Sequence, residues 1–219
     1  MDSTTVIIFA KAPVPDEVKT RLIPALGAAG AARLALRMLE HALQIAADAR
    51  LGPGQLHCAP DAAHPALQAA AARAGATCRP QGSGDLGERM RSALVAALQL
   101  SPRALLLGTD CPALDAGVLH QADAALAAGA DSVFVPTVDG GFALTGFRRE
   151  ALVAIDKVFA AIPWSTSAVM SSARVHLLCA GLRWTELATL VDVDEPEDLI
   201  HVPVEWLKMA AGAPAVANQ

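Results

Sequence analysis

Tyrosine is absent from this 219-residue chain, and phenylalanine and tryptophan bring the aromatic share to only 4%. So few π-faces leave no stacking platform for single-stranded nucleic acid. A net charge of −5 argues further against a general polyanion binder. Lysine is scarce, with only Lys11, Lys19, Lys157 and Lys208 in the whole chain. Any phosphate site must therefore rest on a few local cations. The four cysteines, Cys58, Cys78, Cys111 and Cys179, form no CxxC pair and stand at no zinc spacing with histidine. Reduced thiols and a cytoplasmic location are expected. The apolar run 6–10 is too short for a signal peptide or a membrane span, and no membrane partner is expected. There is no GxSxG, and no histidine stands in a recognisable hydrolase context.

What the chain does have is apolar mass, 53% hydrophobic residues, much of it alanine. This suits one α/β domain of ordinary size, placed at residues 1–208. The small-residue stretch 209–219 reads as a disordered tail. Strand and helix patterns alternate, as in a largely parallel sheet covered by helices. Strands are expected at 6–9, 55–59, 77–79, 103–108, 132–136, 142–145 and 190–193. Helices are expected at 28–50, 63–74, 86–98 (capped by Asp85), about 115–128 and 165–179, with a last short helix from Glu197.

Three segments put charged residues where strands end, and in α/β proteins ligands bind at that edge. The first carries Lys11, Lys19 and Arg21, with Pro13 and Pro15 holding the loop extended. Its cations could neutralise a polyphosphate and stabilise a leaving group. The second, Gly108-Thr109-Asp110-Cys111-Pro112, follows the most apolar strand. Asp110 there is a candidate ligand for Mg²⁺, which takes one or two carboxylates and leaves phosphates and waters to complete its shell. Asp115 is the better cap for the next helix. The third segment is Asp192-Val193-Asp194-Glu195-Pro196. Period-two spacing puts Asp192 and Asp194 on one face of a strand end, although Asp194 could equally be a helix cap.

Gly82, Gly84 and Gly87 spell GxGxxG before a helix. This mimics a dinucleotide fingerprint and leaves open an NAD(P)-dependent oxidoreductase. Against that, the loop does not follow the first strand, and Asp85 puts a carboxylate where a pyrophosphate should sit. The alternative is that Gln81 and this backbone lie beside a nucleotide base. Asp139-Gly140-Gly141 is either a bare turn or a mount for an acceptor-facing Asp139. Trp164-Ser165-Thr166, which could also be a helix entry capped by Ser165, is a weaker candidate for the substrate site.

Read together, Phe9-Ala10-Lys11-Ala12-Pro13-Val14-Pro15, Val18-Lys19-Thr20-Arg21-Leu22, Gly84-Asp85-Leu86-Gly87-Glu88-Arg89-Met90, Gly108-Thr109-Asp110-Cys111-Pro112, Asp139-Gly140-Gly141 and Asp192-Val193-Asp194 resemble one family. It is a bacterial glycosyltransferase-like family, similar to the phospholactate guanylyltransferases and placed with the nucleotide-diphospho-sugar transferases. The resemblance implies a GT-A-like Rossmannoid fold, a three-layer αβα sandwich whose sheet is mostly parallel with a small antiparallel part. It implies Mg²⁺ or Mn²⁺ on Asp110 and Asp194, with Asp192 nearby. It implies phosphates on Lys11, Lys19 and Arg21, flanked by Ala10, Ala12 and Thr109. A base would lie beside Gln81, Gly84 and Asp85, and an acceptor against Asp139, Gly140, Gly141 and Trp164. Lys19, Arg21 and Asp110 would be the catalytic residues. The chain departs from the family at Asp16 (usually Gly), Glu195 (usually Thr) and Phe142 (usually Tyr).

The expected activity is metal-dependent transfer from a nucleoside triphosphate or nucleotide sugar to a small acceptor. The rivals are the oxidoreductase and a nucleotide-binding protein without turnover.

Overall fold

The computed structural model describes residues 3–212. In chain order the elements are β1 (Thr4–Lys11), α1 (Ile23–Ala49), β2 (Gly54–Ala59), α2 (Pro65–Ala74), β3 (Thr77–Pro80), α3 (Leu86–Leu100), β4 (Arg103–Leu107) and α4 (Ala116–Ala127). They continue with β5 (Ser132–Pro136), β6 (Phe142–Arg148), α5 (Ile155–Phe159), α6 (Val169–Cys179), β7 (Trp184–Glu186) and α7 (Val204–Ala211). Single 3₁₀ turns lie at Thr20–Leu22, Arg149–Ala154 and Pro196–His201.

The seven strands form one sheet in the order β3-β2-β1-β4-β6-β5-β7. Only β6 runs against its neighbours; every other pairing is parallel. From β1 the chain moves outward one way to β2 and β3, and from β4 it moves the other way. The β1/β4 junction is thus the topological switch point, where α/β sheets open a crevice. Because β6 is reversed, the β5–β6 turn falls on the same edge as the carboxyl ends of β1 and β4.

Strand alternation sorts the core into two layers. Val6, Ile8 and Ala10 of β1 join Leu105 and Leu107 of β4 against α1, α2 and α4. Ile7 and Phe9 join Ala104 and Leu106 against α3, α5 and α6. The fold is therefore the expected three-layer αβα sandwich with a small antiparallel part, and it matches the nucleotide-diphospho-sugar transferase fold. A third cluster packs α7 on α1: Leu34 and Met38 meet Trp206, Ala210 and Val193.

Most elements lie where periodicity puts them. Gly27 breaks α1 with non-helical angles (φ 70°, ψ 160°), so its continuous part begins at Ala28. The stretch Thr20–Ala49 is long and apolar enough to cross a membrane by length and composition. Its apolar face, including Leu39, Leu43 and Ala46, is packed in the core against β1 and β2. The strand expected at 190–193 is corrected. Leu190 makes one isolated bridge to Thr137, and residues 191–194 run without strand pairing. The edge strand is β7, whose three residues are too few to show a period. The helix expected from 165 begins at Val169, and α5 was not foreseen. Helix α7 includes Met209–Ala211, which the sequence reading put in the tail; residues 213–219 lie outside the described residues. All four cysteines are free.

His57 of β2 supplies a prediction about stability. Its ring is buried and stacks on Phe9 at 5.4 Å, while Nδ1 has no hydrogen-bond partner. Burial, and secondarily the Arg79 charge, depress its pKa to about 4. Between its unfolded pKa near 6.5 and about 4, the unfolded chain binds a proton that the native protein refuses. Stability from this residue is therefore full above that window and falls with pH through it, by about 3 kcal/mol in all. Asp192 works in the opposite sense. Burial first, then Asp139, Asp194 and Asp110, raise it to about 6, so the native state takes up its proton early. The effect of His57 is thus read as a difference: denaturant midpoints of His57→Phe should fall less than those of the wild type from pH 7 to pH 4.5. Parallel curves for the two proteins would refute it.

Candidate functional site

The main cavity, about 810 Å³, opens over the carboxyl edge at the β1/β4 junction. Its walls come from the end of β1, residues 17–21, the start of α3, loop 108–111, the β5–β6 turn, residues 164–167 and the loop around Asp194. Four cations (Lys11, Lys19, Arg21, Arg89) and five carboxylates (Glu17, Asp110, Asp139, Asp192, Asp194) line it. Mixed charge at this density suits a polyanion that arrives together with a cation.

Two acidic segments distant in sequence meet here through one buried residue. Val193 is fully buried in the α1/α7 cluster, worth about 1.5–3 kcal/mol of apolar burial. Its N–H donates to the Asp110 carbonyl at 2.8 Å, and its own carbonyl accepts from Lys19 Nζ at 2.6 Å. Asp194 is thereby set beside Asp110. The Lys19 ammonium lies 2.5 Å from Asp110 Oδ1 and 2.9 Å from Asp194 Oδ1. The two aspartates therefore do converge on one cation. Burial alone would push the Lys19 pKa down, but the two carboxylates outweigh it and hold the pKa above its ordinary value.

Both capping alternatives fall away. Asp115 caps α4 by accepting from Val118 N at 2.9 Å. Glu195 is the cap of the turn Pro196–His201, and Asp198 returns the bond by accepting from the N–H of Glu195 and of Asp194. The carboxylates of Asp110 and Asp194 have no capping duty.

Other expected residues separate into those that face the cleft and those that do not. Ala10, Lys11, Arg21, Gln81, Thr109, Asp139, Gly141 and Trp164 line it. Arg21 is exposed and pairs with Glu195 at 3.1 Å. Lys19 also lines the cleft, and its ammonium is engaged by the two carboxylates. Among the described residues, no group of three or more His, Cys, Asp or Glu is placed to hold an ion; Asp192 lines the cleft with Asp110 and Asp194. With no strand at 191–194 the period-two rule does not apply, and the Asp192 carboxylate feels Asp139, Asp194 and Asp110 together.

Ala12 is buried in the core and does not line the cleft. Gly84 and Asp85 are also outside it. Asp85 Oδ1 accepts from Glu88 N, and Glu88 Oε2 accepts from Asp85 N, so a reciprocal box closes the start of α3. A Cβ on Gly84 would lie 2.1 Å from Glu88 Oε2. These carboxylates fill the helix N-terminus that a pyrophosphate would need, which removes the dinucleotide reading of the loop. Gly87 has its own packing reason, since a Cβ there would lie 2.7 Å from the Trp164 ring.

Gln81 lines the cleft, but its amide is used within the protein. It donates to Ala10 O at 3.2 Å and His57 O at 3.1 Å, and accepts from Arg89 Nη1 at 2.9 Å. It ties β1 and β2 together at the cleft floor and holds Arg89, a cation the sequence reading did not single out. The available signal for Arg89 was its place in the first turns of α3, the helix that follows the glycine-rich loop. Thr137 and Ser167 were also missed, while Ser165 and Thr166 line the cleft beside Trp164. Thr137 Oγ1 donates to Asp139 Oδ1 at 2.5 Å, and Gly141 N donates to the same oxygen at 2.8 Å. Gly140 itself is behind the wall, against Ser167.

The departures from the family pattern are accommodated. Asp16 has a left-handed backbone (φ 66°), which explains why glycine is usual there, and aspartate is among the residues that best tolerate it. Phe142 packs edge-on against Phe134 and Trp164. The Cys111 thiol donates to Val191 O, and burial pushes its pKa up to about 11, so it is no nucleophile.

Several solved structures share this fold. A proposed nucleotide-diphospho-sugar transferase from Desulfovibrio desulfuricans G20 is 27% identical, with a TM-score of 0.82 over 92% of this chain and 87% of its own. The 4-diphosphocytidyl-2C-methyl-D-erythritol synthase of Anaerococcus prevotii DSM 20548 is 13% identical, with a TM-score of 0.63 over 93% and 98% of the two chains. Rv0371c of Mycobacterium tuberculosis H37Rv, solved in complex with manganese, is 17% identical, with a TM-score of 0.57 over 92% and 98%. No curated protein matches this chain. Residues 42–166 match the family DUF2064, described as uncharacterized proteins conserved in bacteria, and the chain belongs to that family.

Proposed function

We propose that the protein is a metal-dependent transferase that moves a nucleotidyl group from a nucleoside triphosphate to a small phosphorylated acceptor, within a single domain. One observation carries this reading: Asp110 and Asp194, from distant segments, converge on one cation at the switch-point crevice. The donor set fits Mg²⁺ or Mn²⁺. Two carboxylates and a carbonyl oxygen already surround the Lys19 ammonium, a monovalent stand-in, and phosphates would complete the shell. When bound, the ion would supply Lewis-acid polarisation and charge neutralisation at phosphate oxygens. A related fold crystallised with manganese and another named for a diphosphocytidyl product support the same direction.

The residues of this chain would divide the remaining work. Lys11, Arg21 and Arg89 would bind the triphosphate and stabilise the departing pyrophosphate. Gln81 would hold Arg89 in place. Asp139, Gly141 and Trp164 would form the acceptor wall, kept rigid by the Thr137–Asp139 bond. The acceptor phosphate oxygen would attack the α-phosphorus as the bond to the β-phosphate breaks. Positioning and electrostatics would provide most of the rate.

Glycosyl transfer from a nucleotide sugar is the second reading, favoured by the description of the Desulfovibrio protein at 27% identity. One assay separates them. The protein is incubated with Mg²⁺, each nucleoside triphosphate and a panel of phosphorylated hydroxy acids and sugar phosphates, following pyrophosphate. In parallel it receives nucleotide sugars, following nucleoside diphosphate. Pyrophosphate release supports the first reading. Acceptor-dependent diphosphate release alone replaces it with the second. Binding without either product leaves a nucleotide-binding protein and sinks both.

A further inference from the structure

A lysine in a loop that faces a proposed phosphate site would be expected to point into the open cleft. Lys19 does not. Its side chain is only 8% exposed, and its ammonium is held by Asp110 Oδ1, Asp194 Oδ1 and Val193 O at 2.5, 2.9 and 2.6 Å. The backbone aims it there. Lys19 adopts left-handed angles (φ 48°, ψ 40°), and its carbonyl accepts from the N–H of fully buried Leu22 at 2.8 Å. A non-glycine residue in that conformation persists only where its surroundings impose it. The same two aspartates are the ones read above as metal ligands, and the inference rests on that reading.

An ammonium and a divalent ion cannot occupy one oxygen cage, because they repel at contact distance and compete for the same lone pairs. We propose that Lys19 is an internal cation that holds the Asp110–Asp194 pair in the metal-free protein and must leave for a divalent ion to enter, its ammonium passing to the polyphosphate that arrives with the metal. The flexible four-carbon stem allows that move without shifting the backbone. Metal alone must expel a well-bonded cation that has nowhere favourable to go. Polyphosphate alone finds Lys19 already engaged. Arriving together, the metal takes the carboxylates and the phosphate takes the lysine, so each favours the other's binding. The aspartate pair is never left as two uncompensated charges, which keeps the metal-free loop ordered.

The test uses the full chain and Mn²⁺ alone, with binding followed by calorimetry and by the electron paramagnetic resonance signal of the free ion. Lys19→Met keeps the stem and removes the charge. It should bind Mn²⁺ about tenfold or more tightly than the wild type in the absence of any phosphate. Pyrophosphate should tighten Mn²⁺ binding to the wild type more than to the variant. A folded Lys19→Met with no gain in Mn²⁺ affinity overturns the proposal. Because the variant could lose the loop, a second measurement uses the wild type. The ¹⁵N signal of the Lys19 ammonium should move when Mg²⁺ and pyrophosphate are added together. Binding of that pair with the signal unmoved also overturns the exchange. The two levels are separable: turnover in the assays above without a gain in Lys19→Met removes the exchange and leaves the transferase. A gain in Lys19→Met without turnover does the reverse.

Discussion

Asp110→Asn should lose turnover by about 10²- to 10³-fold while melting close to the wild type. The substitution keeps size and one acceptor oxygen but removes the charge that a divalent ion needs. The local structure has other supports. Lys19 retains Asp194 at 2.9 Å and Val193 O at 2.6 Å, and the backbone bond from Val193 N to Asp110 O is untouched. Asp110 is about half exposed, so its ion pair with Lys19 contributes modestly to stability, on the order of 1 kcal/mol or less. Asp115→Ala five residues later is the control. It removes the α4 cap and should cost about 1 kcal/mol without touching the chemistry. Steady-state rates set beside thermal melts check both. Unchanged turnover in Asp110→Asn would exclude that carboxylate from the machinery.

Gly140→Ala, just behind the cleft wall, should be strongly destabilising. The position has φ 92°, and an added Cβ would lie 2.2 Å from the carbonyl oxygen of Ser167. That neighbour is backbone and cannot rotate away. The Gly140 carbonyl also accepts from Met170 N at 2.8 Å, so the turn and the start of α6 are joined at this point. Strain and clash together should cost about 2–4 kcal/mol. For a chain of this length that is roughly 5–15 °C in melting temperature. Gly75→Ala isolates the first component: its φ is 67° and nothing lies within 4 Å of the added carbon, so only strain of about 1 kcal/mol is expected. Similar melts for the two variants would mean that the Ser167 segment yields freely. Separating the Asp139 turn from residues 164–167 should also raise the KM for the acceptor more than that for the nucleotide.

The centre of the sheet was legible because its strands are apolar on both faces and the helices that cover it are amphipathic. Ala104 to Leu107 could hardly be anything but a central strand. Asp85 announced the start of α3 by its spacing to Glu88. What could not be read was where functional groups point. The left-handed turn at Lys19 sends a loop lysine inward to two carboxylates, and no pattern of residue types reveals that. The order β4-β6-β5 depends on one reversed strand, which local periodicity does not encode. In the acidic run 192–198 the sequence pattern sets Asp192 and Asp194 on one face of a strand, yet residues 191–194 form none. Asp194 shares the Lys19 ammonium with Asp110, Asp192 is raised by the charge of Asp139 more than by that of Asp194 or Asp110, and Glu195 and Asp198 close a turn. The reciprocal bonds of Asp85 and Glu88 that close the start of α3, in place of a base site at Gly84 and Asp85, are visible only in the geometry.

The missing tyrosines return as an experimental advantage. Near-ultraviolet emission from this protein comes from Trp164, Trp184 and Trp206 alone. They stand in three different settings: a cleft wall, a sheet edge, and the packing of α7 on α1 beneath Val193. Replacing Trp184 and Trp206 with phenylalanine would leave one indole at the cavity, so that quenching or a spectral shift reports occupancy directly, with no label attached.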